Sequence, residues 1–172
     1  EAVVDMHNTS GSGPSFGVCT RLDRQHDALV SLFTRRLIVS RLDLGALMET
    51  SDERCPTVTI EVGGRLDDEA HALAWEGLQR YATAERVLAG DDETDWGLEI
   101  LCDPIRLELR EGVTLAYGEA PRAGHDITLC ADIEHHNFGV VDGTTRLGWI
   151  NGDPRALFRA VDSAGRCAVA TL

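Results

Sequence analysis

The first ninety residues combine short apolar runs with segments of helical periodicity. Residues 3–6 and 57–62 are apolar or β-branched at most positions, which predicts two strands, and residues 37–39 predict a third, short strand. Apolar residues at helical spacing predict helices over about residues 23–37 and 67–88, the second ended by Gly90. Strands that alternate with helices indicate an α/β domain.

The pattern changes beyond the acidic residues 91–95. Short alternating segments follow, and turn signals such as Glu111-Gly112 and Asp142-Gly143 separate them. We predict one short helix near residues 154–161. The predicted strands cover residues 105–109, 113–117, 127–133, 138–141, 146–150 and 167–172. The chain therefore divides into an α/β part over residues 1–90 and a small β-rich domain over residues 91–172.

Composition narrows the possible partners and compartment. The net charge of -13 argues against nucleic acid or an anionic membrane as a partner. No apolar run approaches the roughly 20 residues that span a bilayer. The chain has five cysteines, an odd number that cannot all pair in disulfides within it, and no C-x-x-C motif. This favours a reducing, cytoplasmic setting. Because the chain starts inside a predicted strand, we expect it to be a fragment of a longer protein.

His7 stands where the first strand meets a loop rich in glycine and serine. Ligands of open α/β sheets bind beyond the carboxyl ends of strands, and neutral imidazole is the commonest protein ligand for metals. Asp5 lies two residues earlier on the same strand face, where its carboxylate can hold the other ring nitrogen. The alternative is a histidine that only caps the loop.

Glu61 lies inside the apolar strand 57–62, where an unpaired carboxylate costs several kcal/mol to bury. Such a residue needs a cation, hydrogen bonds or a raised pKa. Gly63 and Gly64 follow it and allow a ligand or another backbone to approach closely. A structural salt bridge to Arg54 or Arg65 is the alternative. Together with His7, Glu61 suggests metal-assisted hydrolysis.

The remaining histidines give weaker signals. His26 and His71 fall on the predicted helices and His125 in a loop, so we expect all three at the surface. Neighbouring residues of a strand point to opposite faces, so His135 and His136 do not fit one metal site. The serine-rich loop has neither the G-x-S-x-G motif of serine hydrolases nor the lysine of a phosphate-binding loop.

The motif Asp5-Met6-His7-Asn8-Thr9, followed about fifty residues later by Ile60-Glu61-Val62-Gly63, resembles the succinylglutamate desuccinylase/aspartoacylase family. Residues 149–158 are also similar to a late segment of that family. These proteins are zinc deacylases related to the metallocarboxypeptidases. The resemblance implies a partial carboxypeptidase-like mixed sheet with helices, followed by the β-rich domain. It also implies that His7 is a Zn²⁺ ligand, that Glu61 activates the attacking water, and that Asn8 and Thr9 shape the substrate pocket.

The chain also departs from the family. The other two zinc ligands form a His-x-x-Glu pair upstream of the Asp-x-His motif, and no such pair precedes it here. An arginine expected about ten residues before the glutamate is missing, which leaves Arg54 as the nearest candidate for the substrate carboxylate. Arg155 stands near the position of an expected aromatic residue and is a second candidate for anion binding.

These observations lead to the hypothesis of a zinc-dependent amidohydrolase. Its substrate is a small N-acyl amino acid, and a homo-oligomer is compatible with it. A non-catalytic or degenerate family member that acts as a binding module is the alternative. A serine or cysteine hydrolase is a third possibility.

Overall fold

A computed structural model describes residues 1–87, 94–163 and 166–167. The protein is a mixed α/β protein with three sheets. It divides into two compact units, Glu1–Pro104 and Ile105–Leu172. No helix within the described ranges is long and apolar enough to cross a membrane.

The first unit is built on a five-stranded sheet. Its strands are β1 (Val3–Thr9), β2 (Phe16–Cys19), β3 (Arg36–Val39), β4 (Thr57–Gly64) and β5 (Glu99–Cys102). They lie in the order β1-β4-β2-β3-β5, and all neighbouring pairs are parallel except β2 and β4, which are antiparallel. The helices of this unit are α1 (Arg24–Ser31), α2 (Asp68–Thr83) and a 3₁₀ helix (Leu47–Thr50).

The core of this unit lies on one face of the sheet. The helices α1 and α2 both contact β4. Val58 and Ile60 are fully buried and belong to one apolar cluster with Leu29 and Val30 of α1. Because side chains alternate along a strand, Thr59 and Glu61 of β4 point to the opposite face. The polar positions of β4 therefore lie on the side away from the helices.

Both long helices begin as predicted but end early. Asp23 caps α1 and Asp67 caps α2, each accepting backbone N–H bonds of the first turn. The prediction that α1 reaches residue 37 is wrong, because residues 36–39 form β3 between β2 and β5. The helix α2 ends at Thr83, before the predicted end at residue 88. Residues 88–93, which include Gly90, lie outside the described part.

The second unit contains a two-stranded and a three-stranded sheet. Its strands are β6 (Arg106–Leu109), β7 (Leu115–Gly118), β8 (Ile127–Cys130), β9 (Gly148–Ile150) and β10 (Phe158–Val161). Strand β10 pairs with β6 antiparallel, while β8 pairs with β7 parallel and with β9 antiparallel. The unit also contains a short helix α3 (Pro154–Leu157) and a 3₁₀ helix (Ile133–His136).

Two features of this half differ from the sequence prediction. The predicted strand at residues 138–141 is absent from the described structure, where Val140 is fully exposed and unpaired with any strand. The helix predicted over residues 154–161 is formed only in its first half, as α3, while its second half is strand β10. The predicted division at residue 90 lies outside the described residues. The compact units divide after Pro104, because β5 pairs with β3 and so joins the first sheet.

Candidate catalytic site

Three polar side chains meet where β1 and β4 run side by side. His7 is the register partner of Glu61, and Asp5 is the partner of Thr59 two residues earlier. Alternation places Asp5 and His7 on one face of β1, and the pairing adds Glu61 to that face. The exposed fractions of the three side chains are 24% for Asp5, 50% for His7 and 21% for Glu61. The site is therefore half-open to solvent.

The two ring nitrogens of His7 face different carboxylates. Nε2 lies 3.1 Å from Oδ2 of Asp5, within hydrogen-bond distance. Nδ1 lies 3.8 Å from Oε1 of Glu61, which is too far for a hydrogen bond. When Nε2–H donates to Asp5, the lone pair of Nδ1 remains free. Carboxylate–histidine pairs of this kind orient the histidines that bind metals.

Glu61 carries an unsatisfied polar atom. Its Oε2 is buried and has no hydrogen-bond partner among the described residues. The alternative of a salt bridge to Arg54 or Arg65 is also not formed there. Buried carboxylate oxygens are rarely left without a partner, since desolvation then goes uncompensated. A cation or a proton-bearing ligand beside Glu61 would satisfy this atom.

The two glycines after Glu61 let a loop sit against the end of β4. A Cβ atom at Gly64 would lie 2.7 Å from the carbonyl oxygen of Gly11, and one at Gly63 would lie 3.2 Å from that of Gly13. Gly63 also has a φ of 119°, which side-chain-bearing residues rarely adopt. The predicted close approach of a backbone at these glycines is confirmed.

The neighbours of His7 differ in their availability to a ligand. Asn8 is exposed. Thr9 is partly buried, and its hydroxyl donates to the carbonyl oxygen of Gly11 at 2.9 Å. The carbonyl of Thr9 accepts from the backbone N–H of Arg65 at 3.0 Å. Thr9 therefore holds the loop in place, while Asn8, which directly follows His7 in the chain, is exposed to solvent.

Neither predicted arginine is placed within this cluster. Arg54 is exposed in the loop before β4, at the amino end of a strand whose carboxyl half carries Glu61. The four residue-to-residue steps from Thr57 to Glu61 span about 13 Å of strand. Arg155 belongs to α3 in the second unit, where its backbone carbonyl accepts a hydrogen bond from Arg110 at 3.1 Å.

His26 is the residue whose position the sequence reasoning missed. It is buried, with 1% of its surface exposed, so the expectation of a surface residue is wrong. Its Nδ1 lies 2.7 Å from Oδ1 of Asp23 and its Nε2 lies 2.8 Å from Oγ of Ser51. The spacing Asp23-x-x-His26 matches a capping box, with a ring in place of the usual Glu or Gln, and is the signal that points to this contact.

The series of hydrogen bonds from Asp23 through His26 to Ser51 has the residue order of a serine-hydrolase triad, but it connects structural elements. Oγ of Ser51 also accepts the backbone N–H of Thr57 at 2.9 Å, so the series joins α1 to the first residue of β4. Burial raises the pKa of Asp23, but hydrogen bonds from the ring and backbone of His26 outweigh it and lower that pKa. The buried His26 ring is enclosed by partners on both nitrogens and presents no free base.

The other histidines and the cysteines do not extend the site. His125 and His71 are exposed, as predicted. His135 and His136 lie in a 3₁₀ helix, so the argument from opposite faces of a strand does not apply to them. All five cysteines are free thiols.

The cluster by itself is not a full metal-binding set. A four-coordinate zinc site requires more donors than one imidazole and one carboxylate. Within residues 1–87, 94–163 and 166–167, no group of three or more His, Cys, Asp or Glu side chains is arranged to hold a metal ion. No protein-family model, curated protein or solved structure matched this chain, so its function has to be argued from the geometry of the site.

Proposed function

We propose that this chain contributes His7 and Glu61 to the catalytic site of a zinc-dependent amidohydrolase. The reaction is hydrolysis of the amide bond of a small N-acyl amino acid, on a carboxypeptidase-like sheet. The observation that carries the proposal is the Asp5–His7–Glu61 cluster, in which the buried Oε2 of Glu61 has no partner among the described residues.

Each residue of the cluster has a separate task. Asp5 accepts the Nε2–H of His7 and so keeps the lone pair on Nδ1, through which His7 would hold zinc. Zinc, when bound, polarises the acyl carbonyl and acidifies the attacking water. Glu61 accepts the proton of that water and passes it to the leaving amine. Asn8, exposed beside His7, is the candidate to contact the substrate.

The fold and the charge are consistent with this reaction. His7 and Glu61 lie in the carboxyl-terminal halves of two adjacent parallel strands, toward the edge of a sheet where α/β enzymes bind ligands. The net charge of -13 disfavours a polyanionic substrate and agrees with a small molecule.

Zinc analysis of the full chain with two matched variants tests the proposal. We expect His7→Ala to lose bound zinc, because it removes the imidazole. We expect Glu61→Gln to keep zinc and to lose turnover of N-acyl amino acids by about 10²–10⁴-fold, the usual contribution of a general base. Glu53→Gln, which changes an exposed carboxylate outside the cluster, serves as the control.

Three results would contradict the assignment. Near-normal turnover in Glu61→Gln would remove Glu61 from the reaction. Equal zinc content in the wild-type protein and in His7→Ala would show that the metal binds elsewhere. Activity that survives a strong chelator and is lost to a fluorophosphonate would indicate a serine hydrolase.

A non-catalytic binding module is the second candidate. The observation that favours it is that the described residues supply no three-residue metal group. In that case the wild-type chain would bind an N-acyl amino acid without turnover, and added zinc would change neither binding nor stability. Calorimetric titration with and without zinc separates this outcome from the enzyme.

A further inference from the structure

The second unit contains a cavity of about 470 Å³ between the segment 121–126, strand β8 and the end of β9. That volume falls in the range of small-molecule sites. Arg122, Asp126, Trp149, Ile150 and Asn151 are among the residues that line it. Asp5, His7 and Glu61 are not among the residues that line it, so the cavity is separate from the candidate catalytic site.

Two opposite charges line this cavity without neutralising each other. The guanidinium of Arg122 forms no ion pair or hydrogen bond within the described residues. Several other arginines of this acidic chain are paired with carboxylates, as Arg41 is with Asp103 at 2.8 Å. An unpaired arginine in a concave site is a ready partner for a carboxylate ligand.

Asp126 has one oxygen engaged and one available. Its Oδ2 accepts from the backbone N–H of Thr114 at 2.8 Å and from the Thr114 hydroxyl at 2.7 Å. These bonds lower the pKa of Asp126, so the carboxylate is ionised at neutral pH. Its Oδ1 makes no hydrogen bond within the described residues. Asp126 can therefore accept from an ammonium group without giving up its link to Thr114.

Backbone hydrogen bonds hold the cavity wall in a fixed shape. The N–H of Asn151 donates to the carbonyl of Asp126 at 2.8 Å, which joins the two sides of the cavity. The N–H of Arg122 donates to the hydroxyl of Thr128 at 2.9 Å and ties the loop to β8. A pre-formed wall reduces the ordering that a ligand must impose.

Pro121, Ala123, Trp149 and Ile150 supply the apolar part of the remaining wall, and His125, Thr128 and Asn151 supply its polar part. Trp149 is half-buried in β9, and Arg146 stands 5.6 Å from its ring centroid. Ile150 follows it and is exposed. Because neighbouring residues of a strand point to opposite faces, the indole ring of Trp149 rather than a Trp149–Ile150 pair offers the apolar surface next to the two charges.

We propose that this cavity binds a free α-amino acid with an apolar side chain. The carboxylate of the ligand pairs with Arg122, its ammonium group donates to Oδ1 of Asp126, and its side chain contacts Trp149. A free amino acid is the small molecule that carries both charges on one carbon atom, which matches two unpaired opposite charges in one cavity. This inference does not depend on the proposed hydrolysis.

Calorimetric titration of the full chain with three ligands tests the site. L-Leucine carries both charges, L-leucinamide lacks the carboxylate and N-acetyl-L-leucine lacks the ammonium group. We expect leucine to bind and each blocked ligand to bind about tenfold or more weakly, since each loses a charged hydrogen bond.

Two variants connect each charge of the ligand to its residue. Arg122→Gln should abolish the preference for leucine over leucinamide. Asp126→Asn, whose side-chain oxygen still accepts from Thr114, should abolish the preference for leucine over N-acetyl-leucine. Arg65→Gln, an exposed arginine of the first unit, should change neither preference. Thermal melts of all variants show whether each is folded.

Three outcomes would overturn the inference. The first is no binding of leucine or phenylalanine to the wild-type chain. The second is equal affinity for leucine and both blocked ligands. The third is an unchanged ligand preference in a folded Arg122→Gln variant. None of these outcomes bears on zinc content or on the effect of Glu61→Gln, so the two proposals fail independently.

Discussion

Gly77 lies in the middle of α2, where two effects of opposite sign compete when it is replaced by alanine. Alanine is the better helix former by about 1 kcal/mol, so propensity alone predicts stabilisation. However, a Cβ atom at Gly77 would lie 2.6 Å from Cε1 and 2.8 Å from Cγ of Phe33. Contacts this short force the helix or the ring to move.

Packing decides the sign. Phe33 is 3% exposed and belongs to the apolar cluster of the first unit, so its ring has no free space to move into. Overpacking of a core costs up to about 3 kcal/mol, and the gain in helix propensity offsets about 1 kcal/mol of this. We therefore expect Gly77→Ala to destabilise the protein by about 2 kcal/mol. That corresponds to a fall in melting temperature of about 4–8 °C.

Thermal and urea unfolding measure the effect, with two further variants. Ala72→Gly changes an exposed position of α2 and should cost about 1 kcal/mol through propensity alone. Phe33→Leu in the Gly77→Ala background should recover part of the loss, because a smaller side chain makes room for the new methyl group. A melting temperature of Gly77→Ala above that of the wild type would refute the close packing of α2 on Phe33.

Two further predictions follow from Asp23 and from Cys19. The pKa of Asp23 in the folded protein is lowered from 3.8, so its contribution to stability is present above that pH and is lost as the pH falls through the folded value. We therefore expect the free energy of unfolding in urea, measured between about pH 5 and pH 2, to depend less on pH in Asp23→Asn than in the wild type. An unchanged slope would contradict the link to His26. Burial raises the pKa of Cys19 to about 12, so a thiol reagent at neutral pH should modify the exposed Cys102 and Cys167 and reach Cys19 only after denaturation.

The sequence predicted those elements whose pattern is local. The β-branched run that became β4 and the capped start of α2 carry strong signals in a few consecutive residues. Strand β5 carries no such local signal, because its four residues are all exposed and its place in the first sheet depends on pairing with β3. The early end of α1 has the same origin, since the pairing of β3 overrides the helical period.

The candidate site divides in the same way. Alternation along one strand was enough to predict that Asp5 and His7 share a face. The contact of His7 with Glu61 depends on the register of two strands far apart in the chain, which periodicity does not specify. Only the place of both residues at strand ends and the family resemblance suggested that they act together. The burial of His26 depends on Ser51, 25 residues away, and a helical pattern read on its own places His26 outside.

The position of β1 has a consequence for folding. His7 and Glu61 are 54 residues apart (61 - 7), and only the parallel pairing of β1 with β4 brings them together. Contacts this distant form late, because a long loop must close first. β1 is also an edge strand of its sheet, paired with β4 alone among the described strands. Edge elements open locally at a lower free-energy cost than the whole domain. The cluster can therefore come apart by detachment of one strand while the rest of the core stays folded.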